Sequence, residues 1–271
     1  MNRLGKFMAV CLLLFGTSVL QAQDLVLLHT NDMHSQVEPD PATGKMGFQA
    51  IADYVRTVRS QHENVLLLDA GDFNQGTPYF NLYGGEVEIA IMNRIGYDVV
   101  ALGNHEFDNG VAKLAKRLRK ADFEVVCANY EFSKSPLRRT VKPYAIVEVG
   151  EYKIGIIGAL ADLTTLTGEA NRKGIRYLAD VPTIIDGYAE LLKKEEKCDL
   201  VIALSHLGFD NYGMSDIILA ENSKYIDLIV GGHSHTFLPE PYKVRNLEGK
   251  VVPIVQTGAK TRYIGRFDIY F

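Results

Sequence analysis

Five short stretches of the chain carry residues able to do acid–base or metal chemistry. They are Asn31-Asp32-Met33-His34-Ser35, Gly71-Asp72, Gly103-Asn104-His105-Glu106-Phe107-Asp108, Ser205-His206 and Gly231-Gly232-His233-Ser234-His235, and five of the chain's seven histidines lie in them. Taken singly, the Gly103 stretch reads equally well as a capped helix start, and Asp-x-His or Gly-Asp after a strand is more often a turn or cap than a ligand pair. Caps, however, have no reason to recruit histidine repeatedly. Neutral imidazoles, carboxylates and one amide oxygen form a mixed nitrogen and oxygen donor set, which suits borderline divalent ions such as Zn²⁺ or Mn²⁺. The seven donors Asp32, His34, Asp72, Asn104, His206, His233 and His235 are too many for one tetrahedral ion. They suit two divalent metal ions about 3.5–4 Å apart that share a bridging carboxylate. Asp108 stands three residues after His105, near enough to hydrogen-bond the ring and fix its tautomer. Three further residues draw attention without joining this set. His29 reads as a strand residue with a satisfied ring, His62 as a helix-end residue in solvent, and Asp69 as a structural residue at a strand end.

The elements that must position these side chains follow from hydrophobic periodicity. Leu25–Leu28, Val65–Leu68, Tyr97–Leu102, Asp199–Leu204 and Ile226–Val230 are short apolar runs, as expected of strands covered on both faces. Each ends in one of the five stretches. Helical spacing marks residues 47–61, 86–94, 111–120 and 181–197. Residues 124–128 form a further strand, and 144–149 with 153–157 form a hairpin across Gly150-Glu151-Tyr152. The tail, residues 242–245, 251–256 and 263–270, alternates like antiparallel strands. Strands and helices therefore alternate first and hairpins come later, which predicts an α/β fold with mixed sheets and external helices. In such a sheet the loops at the carboxyl ends of the strands meet in one crevice.

Arg3 and Lys6, an apolar run from Phe7 to Leu20 and then Gln21-Ala22-Gln23 read as a signal peptide over residues 1–22, with one domain over 23–271. The run is short for a membrane span, so the expectation is an exported protein, periplasmic or secreted. An uncleaved membrane anchor is the alternative. Without Arg3 and Lys6 there are 27 basic against 33 acidic residues, a net charge of −6. That balance argues against a nucleic-acid polymer as partner. Cys11 falls inside the apolar run, and Cys127 and Cys198 sit on or beside apolar strands as buried free thiols.

The five stretches resemble the five sequence blocks of the calcineurin-like metallophosphoesterases. The strings Asn31-Asp32-Met33-His34-Ser35 and Gly103-Asn104-His105-Glu106-Phe107-Asp108 are similar to the secreted 5′-nucleotidase branch of that family. The resemblance runs in order over residues 24–271. It implies a four-layer αββα sandwich of two mixed β-sheets flanked by helices. It places Asp32, His34, Asp72 and His235 around one ion, with Asp72 bridging to a second that Asn104, His206 and His233 complete. His105 matches a non-ligand histidine that stabilises the transition state or assists the leaving group, and Asp108 matches the carboxylate that orients it. The implied reaction is phosphoester hydrolysis, of a nucleotide or a related small molecule, by hydroxide formed from a water shared between the ions. Secreted 5′-nucleotidases usually carry a C-terminal domain that supplies an aromatic stack and arginines for the substrate, and this chain stops at Phe271, about where that domain begins. The chain is therefore expected to act alone as a broad phosphomonoesterase or phosphodiesterase, or as one half of a nucleotidase completed by a separately encoded C-terminal domain. A metal-dependent binding protein without catalysis is the third reading, and retention of His105 and Asp108 beside all seven donors argues against it. Tyr79, Phe80 and Tyr83, just after the Asp72 loop, either line the crevice or pack inward.

Overall fold

The computed structural model describes residues 24–210 and 213–271, so the apolar N-terminal run and Cys11 lie outside the described residues. The first half of the chain runs β1 (Leu25–Thr30), α1 (Gly47–Gln61), β2 (Val65–Asp69), α2 (Pro78–Tyr83), α3 (Glu86–Ile95), β3 (Val99–Ala101), α4 (Val111–Leu118) and β4 (Glu124–Val126). Then come β5 (Tyr130–Glu131), β6 (Val141–Lys142), β7 (Tyr144–Val149), β8 (Tyr152–Leu160), β9 (Arg176–Tyr177), α5 (Val181–Lys194), β10 (Leu200–His206) and α6 (Asp216–Glu221). The last strands are β11 (Leu228–Val230), β12 (Tyr242–Arg245), β13 (Val251–Val255) and β14 (Gly265–Ile269).

Twelve of these strands build two six-stranded sheets, ordered β14-β1-β2-β3-β4-β6 and β12-β13-β11-β10-β8-β7, and β5 and β9 pair separately. Both are mixed: β14 is antiparallel to an otherwise parallel first sheet, and β7 and β12 are antiparallel edges of the second. The period-two alternation of strand side chains explains the layering. In β1, Leu25 and Leu27 point into an apolar layer between the sheets, where they join Leu66, Leu68, Ile156, Ile202 and Leu204. Val26 and Leu28 face the other way, under α1, α3 and α4. The second sheet turns Ile157, Val201, Ala203 and Ile229 toward α5 and α6. Three apolar layers between four layers of structure give the sandwich implied by the resemblance.

The three tail strands pair antiparallel, as their alternation predicts: β12 and β13 form a hairpin, and β14 crosses to the first sheet and pairs with β1. One expectation needs correction, because the His29 ring is not satisfied. Its Nδ1 is buried without a hydrogen-bond partner, and burial lowers its pKa from 6.5 to about 4. The ring lies over Gly265, where any Cβ would collide with it. Helices α2 and α6 are additions, each short and each announced locally, by Pro78 in the first turn and by the Ser215 hydroxyl accepting from Ile218 N. Cys127 and Cys198 are buried and free.

Candidate metal centre

Parallel pairing aligns the carboxyl ends of β1, β2 and β3 in one sheet and of β10 and β11 in the other. The loops that follow carry the five sequence stretches, and they meet. Asp32 Oδ1 lies 3.4 Å from His235 Nε2, 3.9 Å from His206 Nε2 and 4.0 Å from His34 Nε2. Asp72 Oδ2 stands 3.1 Å from His206 Nε2. Three groups have ligand atoms that all lie within 4.8 Å of one another: Asp32, His34 and His235; His34, Asp72 and His105; and Asp72, His206 and His233. The first and third of these fall within the two ligand sets implied by the resemblance, and shared His34 and Asp72 join all three. Asp69 joins none of them. Its buried carboxylate accepts from Thr30 Oγ1 at 2.6 Å and Gly71 N at 3.0 Å.

Backbone geometry shows how tightly the loops are drawn in. Asp32, His34, Asp72, His233 and His235 all have positive φ, between 47° and 73°. For residues with a Cβ this conformation is uncommon and costs energy, so the surroundings must hold it. Asn31 supplies part of that hold. Its Nδ2 donates to Asp32 Oδ2 at 2.7 Å and to Gly258 O, while its Oδ1 accepts from Thr257 N and Oγ1. His233 N also donates to both Asp32 oxygens, Oδ2 at 2.9 Å and Oδ1 at 3.2 Å, and Oδ1 is the one that faces the imidazoles. Gln256 braces the histidine-rich loop by accepting from Thr236 N and donating to Gly232 O. Asp216 accepts from the Ser205 hydroxyl, next to His206. The roles of Asn31, Gln256, Glu106 and Asp216 went unread in the sequence. Asn31 and Glu106 sit inside two of the five stretches, Gln256 and Asp216 in none, and all four act on segments other than their own.

Tautomers follow from hydrogen bonds. Ala70 O can only accept, so its 2.6 Å contact places a proton on His206 Nδ1 and leaves Nε2 facing Asp72. Asp108 Oδ2 likewise accepts from His105 Nδ1 at 2.8 Å, which leaves Nε2 as the free nitrogen of that ring. Asn104 Oδ1 is buried and without a partner, and the facing Nε2 atoms of His34 and His235 are 2.9 Å apart. Converging nitrogens and carboxylates, with no lysine or arginine among the donors, fit divalent cations, and an orphaned buried amide oxygen one residue before His105 is a further oxygen donor. Asp32 and His206 are fully buried, whereas His105 and His235 are 32% and 46% exposed, so the centre opens to solvent on their side.

The electrostatics divide the histidines. Burial alone would lower His206, but the Asp72 and Asp32 carboxylates beside it raise its pKa instead. Burial and the neighbouring His206 lower His233 to about 4. His34 is lowered by burial despite Asp72 and Asp32. His105 is raised, first by its hydrogen bond to Asp108. Glu106 and Asp216 are both raised by burial, to about 7.

Of the aromatic residues after the Asp72 loop, Phe80 packs inward under Arg117 and Tyr79 donates to Glu38 Oε1, while Tyr83 is exposed. A second pair of aromatic rings is exposed. Phe237 and Tyr263, 47% and 45% exposed, stack with centroids 4.1 Å apart, and Phe237 is two residues beyond His235.

Two mixed sheets between helices, with a nitrogen and oxygen donor cluster at their strand ends, define the metallophosphatase fold. The calcineurin-like phosphoesterase family matches residues 25–237, and the chain belongs to it. Its relatives include a snake venom 5′-nucleotidase from Gloydius brevicauda, 36% identical over 278 residues that cover 92% of this chain and 45% of the relative. Among solved structures, a 5′-nucleotidase precursor from Thermus thermophilus superposes with a TM-score of 0.79 at 34% identity, over 89% of this chain and 50% of that one. NAD nucleotidase from Haemophilus influenzae gives 0.78 at 31% identity, over 89% and 46%. The chain thus spans about half the length of the relatives it matches.

Proposed function

We propose that this chain is a phosphoester hydrolase of the 5′-nucleotidase type that works with a pair of divalent ions, Zn²⁺ or Mn²⁺, on a nucleotide or related phosphate ester. The observation that carries this reading is the meeting of Asp32, Asp72, His206, His233 and His235 from remote strand ends, and the orphaned, buried oxygen of Asn104 supports it. Asp32, His34, Asp72 and His235 would hold one ion, and Asp72, Asn104, His206 and His233 the other. Such ions would neutralise phosphoryl oxygens and acidify water near neutrality, and against two carboxylates they would leave about two positive charges for a phosphate dianion.

The chain's own residues do the rest. His105 stands on the open side with Nδ1 fixed by Asp108, so Nε2 is presented to an incoming phosphoryl or leaving-group oxygen. A hydrogen bond from a raised-pKa imidazole strengthens as charge builds on that oxygen. The basic tip and apolar run at the N-terminus support action outside the cytoplasm. No helix of the described residues is long and apolar enough to cross a membrane.

The exposed stack of Tyr263 on Phe237, two residues beyond His235, favours a second reading, in which a separate C-terminal domain docks near the crevice and completes substrate recognition. Hydrolysis of nucleoside monophosphates against a generic aryl phosphate, by the metal-loaded chain with and without such a domain, separates the readings. Strong nucleotide preference by the chain alone supports self-sufficient recognition. Preference that appears only with the added domain supports the second reading. No hydrolysis of any ester by metal-loaded protein contradicts both.

A further inference from the structure

We propose that Glu106 is a positioning residue, whose buried carboxylate ties the Asp72 loop to the Asn104 loop and so sets the bridging carboxylate against the amide ligand. The inference rests on the metal-centre reading above. Glu106 has no solvent exposure and follows Asn104 and His105 in a short 3-10 turn. Its Oε2 accepts from Gly103 N at 2.6 Å and from Asp72 N at 2.9 Å, and its Oε1 accepts from Asn74 N at 3.2 Å. Asp72 returns the tie, because its Oδ1 accepts from His105 N at 2.7 Å. Each loop therefore grips the other's backbone with a carboxylate.

That reciprocal grip answers two demands of the local backbone. Asp72 sits at φ 56°, a conformation needing outside support. Its buried N–H would cost free energy if left without an acceptor. Bulk cannot set the spacing of the loops, because glycines face each other there. A Cβ on Gly71 would fall 2.6 Å from Gly103 N, and one on Gly103 would strike the Asp72 carboxylate. The separation is set by hydrogen bonds, and Glu106 accepts two of those that cross, from Asp72 N and Asn74 N, while its bond from Gly103 N braces its own loop. Arg117 steadies Glu106 from behind, donating to its main-chain oxygen at 3.3 Å.

Glu106→Gln keeps the volume but turns an NH₂ group toward backbone donors, so at least one of the three bonds is lost. The test is calorimetric titration of Mn²⁺ into metal-free wild type, Glu106→Gln and Glu106→Asp, with hydrolysis of 4-nitrophenyl phosphate at saturating Mn²⁺ in parallel. Glu106→Gln is expected to fold and to bind at least one ion about tenfold or more weaker. At saturating Mn²⁺ its kcat should stay reduced while KM changes by less than about twofold. Wild-type affinity and kcat in folded Glu106→Gln would overturn the proposal. So would failure of both variants to fold, since Glu106 would then serve folding alone. Should Gln alone fail to fold, Glu106→Asp decides by the same two readouts. Wild type that takes up no Mn²⁺ would instead sink the metal-centre reading itself.

Discussion

His105 and His206 are both imidazoles close to Asp72, yet their surroundings give them different work. His206 has no exposed surface and its Nδ1 is spent on Ala70 O, so its free nitrogen faces inward to Asp72. His105 is partly exposed, and with Nδ1 held by Asp108 its Nε2 is left free. Replacing His105 by Ala should therefore lower kcat by about a hundredfold or more while bound metal stays at the wild-type amount. Wild-type turnover on every ester tried would remove His105 from the chemistry. The Asp108 hydrogen bond raises the His105 pKa. If protonated His105 is the working form, activity is present below that pKa and lost as pH rises through it. Asp108→Asn should then move the falling alkaline limb of the kcat profile to lower pH, and an unmoved limb would contradict the assignment. The His105–Asp108 pair was legible because its members lie three residues apart. Glu106 and Gln256 were not, because they act on backbone N–H and C=O groups whose neighbourhood only the fold creates.

At the scale of elements, the central strands were legible because burial on both faces makes them apolar at nearly every position, whereas β5, β6 and β9, two residues each, are too short to show a period. The helices were legible from their apolar stripes, though α5 stops at Lys194 rather than Lys197, where a positive φ turns the chain toward β10. What periodicity could not give was partner choice. Alternation in residues 263–270 fits any antiparallel neighbour, and only packing sends β14 to β1. Contact between the sheets was equally invisible. Gly158 in β8 lies against the backbone of Val126 and Cys127 from the first sheet, with no room for a Cβ. Its carbonyl also accepts from Ala128 N at 2.8 Å. Gly158→Ala should destabilise the fold by about 1–3 kcal/mol through overpacking. Denaturant unfolding checks this, and an unchanged midpoint would mean the sheets are less closely apposed than this contact requires.

The whole molecule adds a pH dependence that no single loop carries. His29 is buried under β14 as a neutral ring, its pKa lowered by burial from 6.5 to about 4. The unfolded chain therefore binds this proton more readily than the folded one. The resulting stability is fully present above the unfolded value and is lost as pH falls through the folded one. Wild type should lose about 2 kcal/mol more stability than His29→Leu between about pH 7 and about pH 4.5. Equal losses would show that His29 is hydrated or partnered in solution. Convergence of the ligands is also a property of the whole. Residue types suggested it, but the sequence holds no distances, and two sheets had to stack before loops some two hundred residues apart could meet.

The most direct measurement is an anomalous difference map from crystals of the Mn²⁺-loaded protein. Two peaks are expected, roughly 3.5–4 Å apart with Asp72 between them. One should lie within coordinating reach of Asp32, His34 and His235, and the other of Asn104, His206 and His233. A single peak, or peaks that leave Asp72 uncoordinated, would contradict the paired-ion centre.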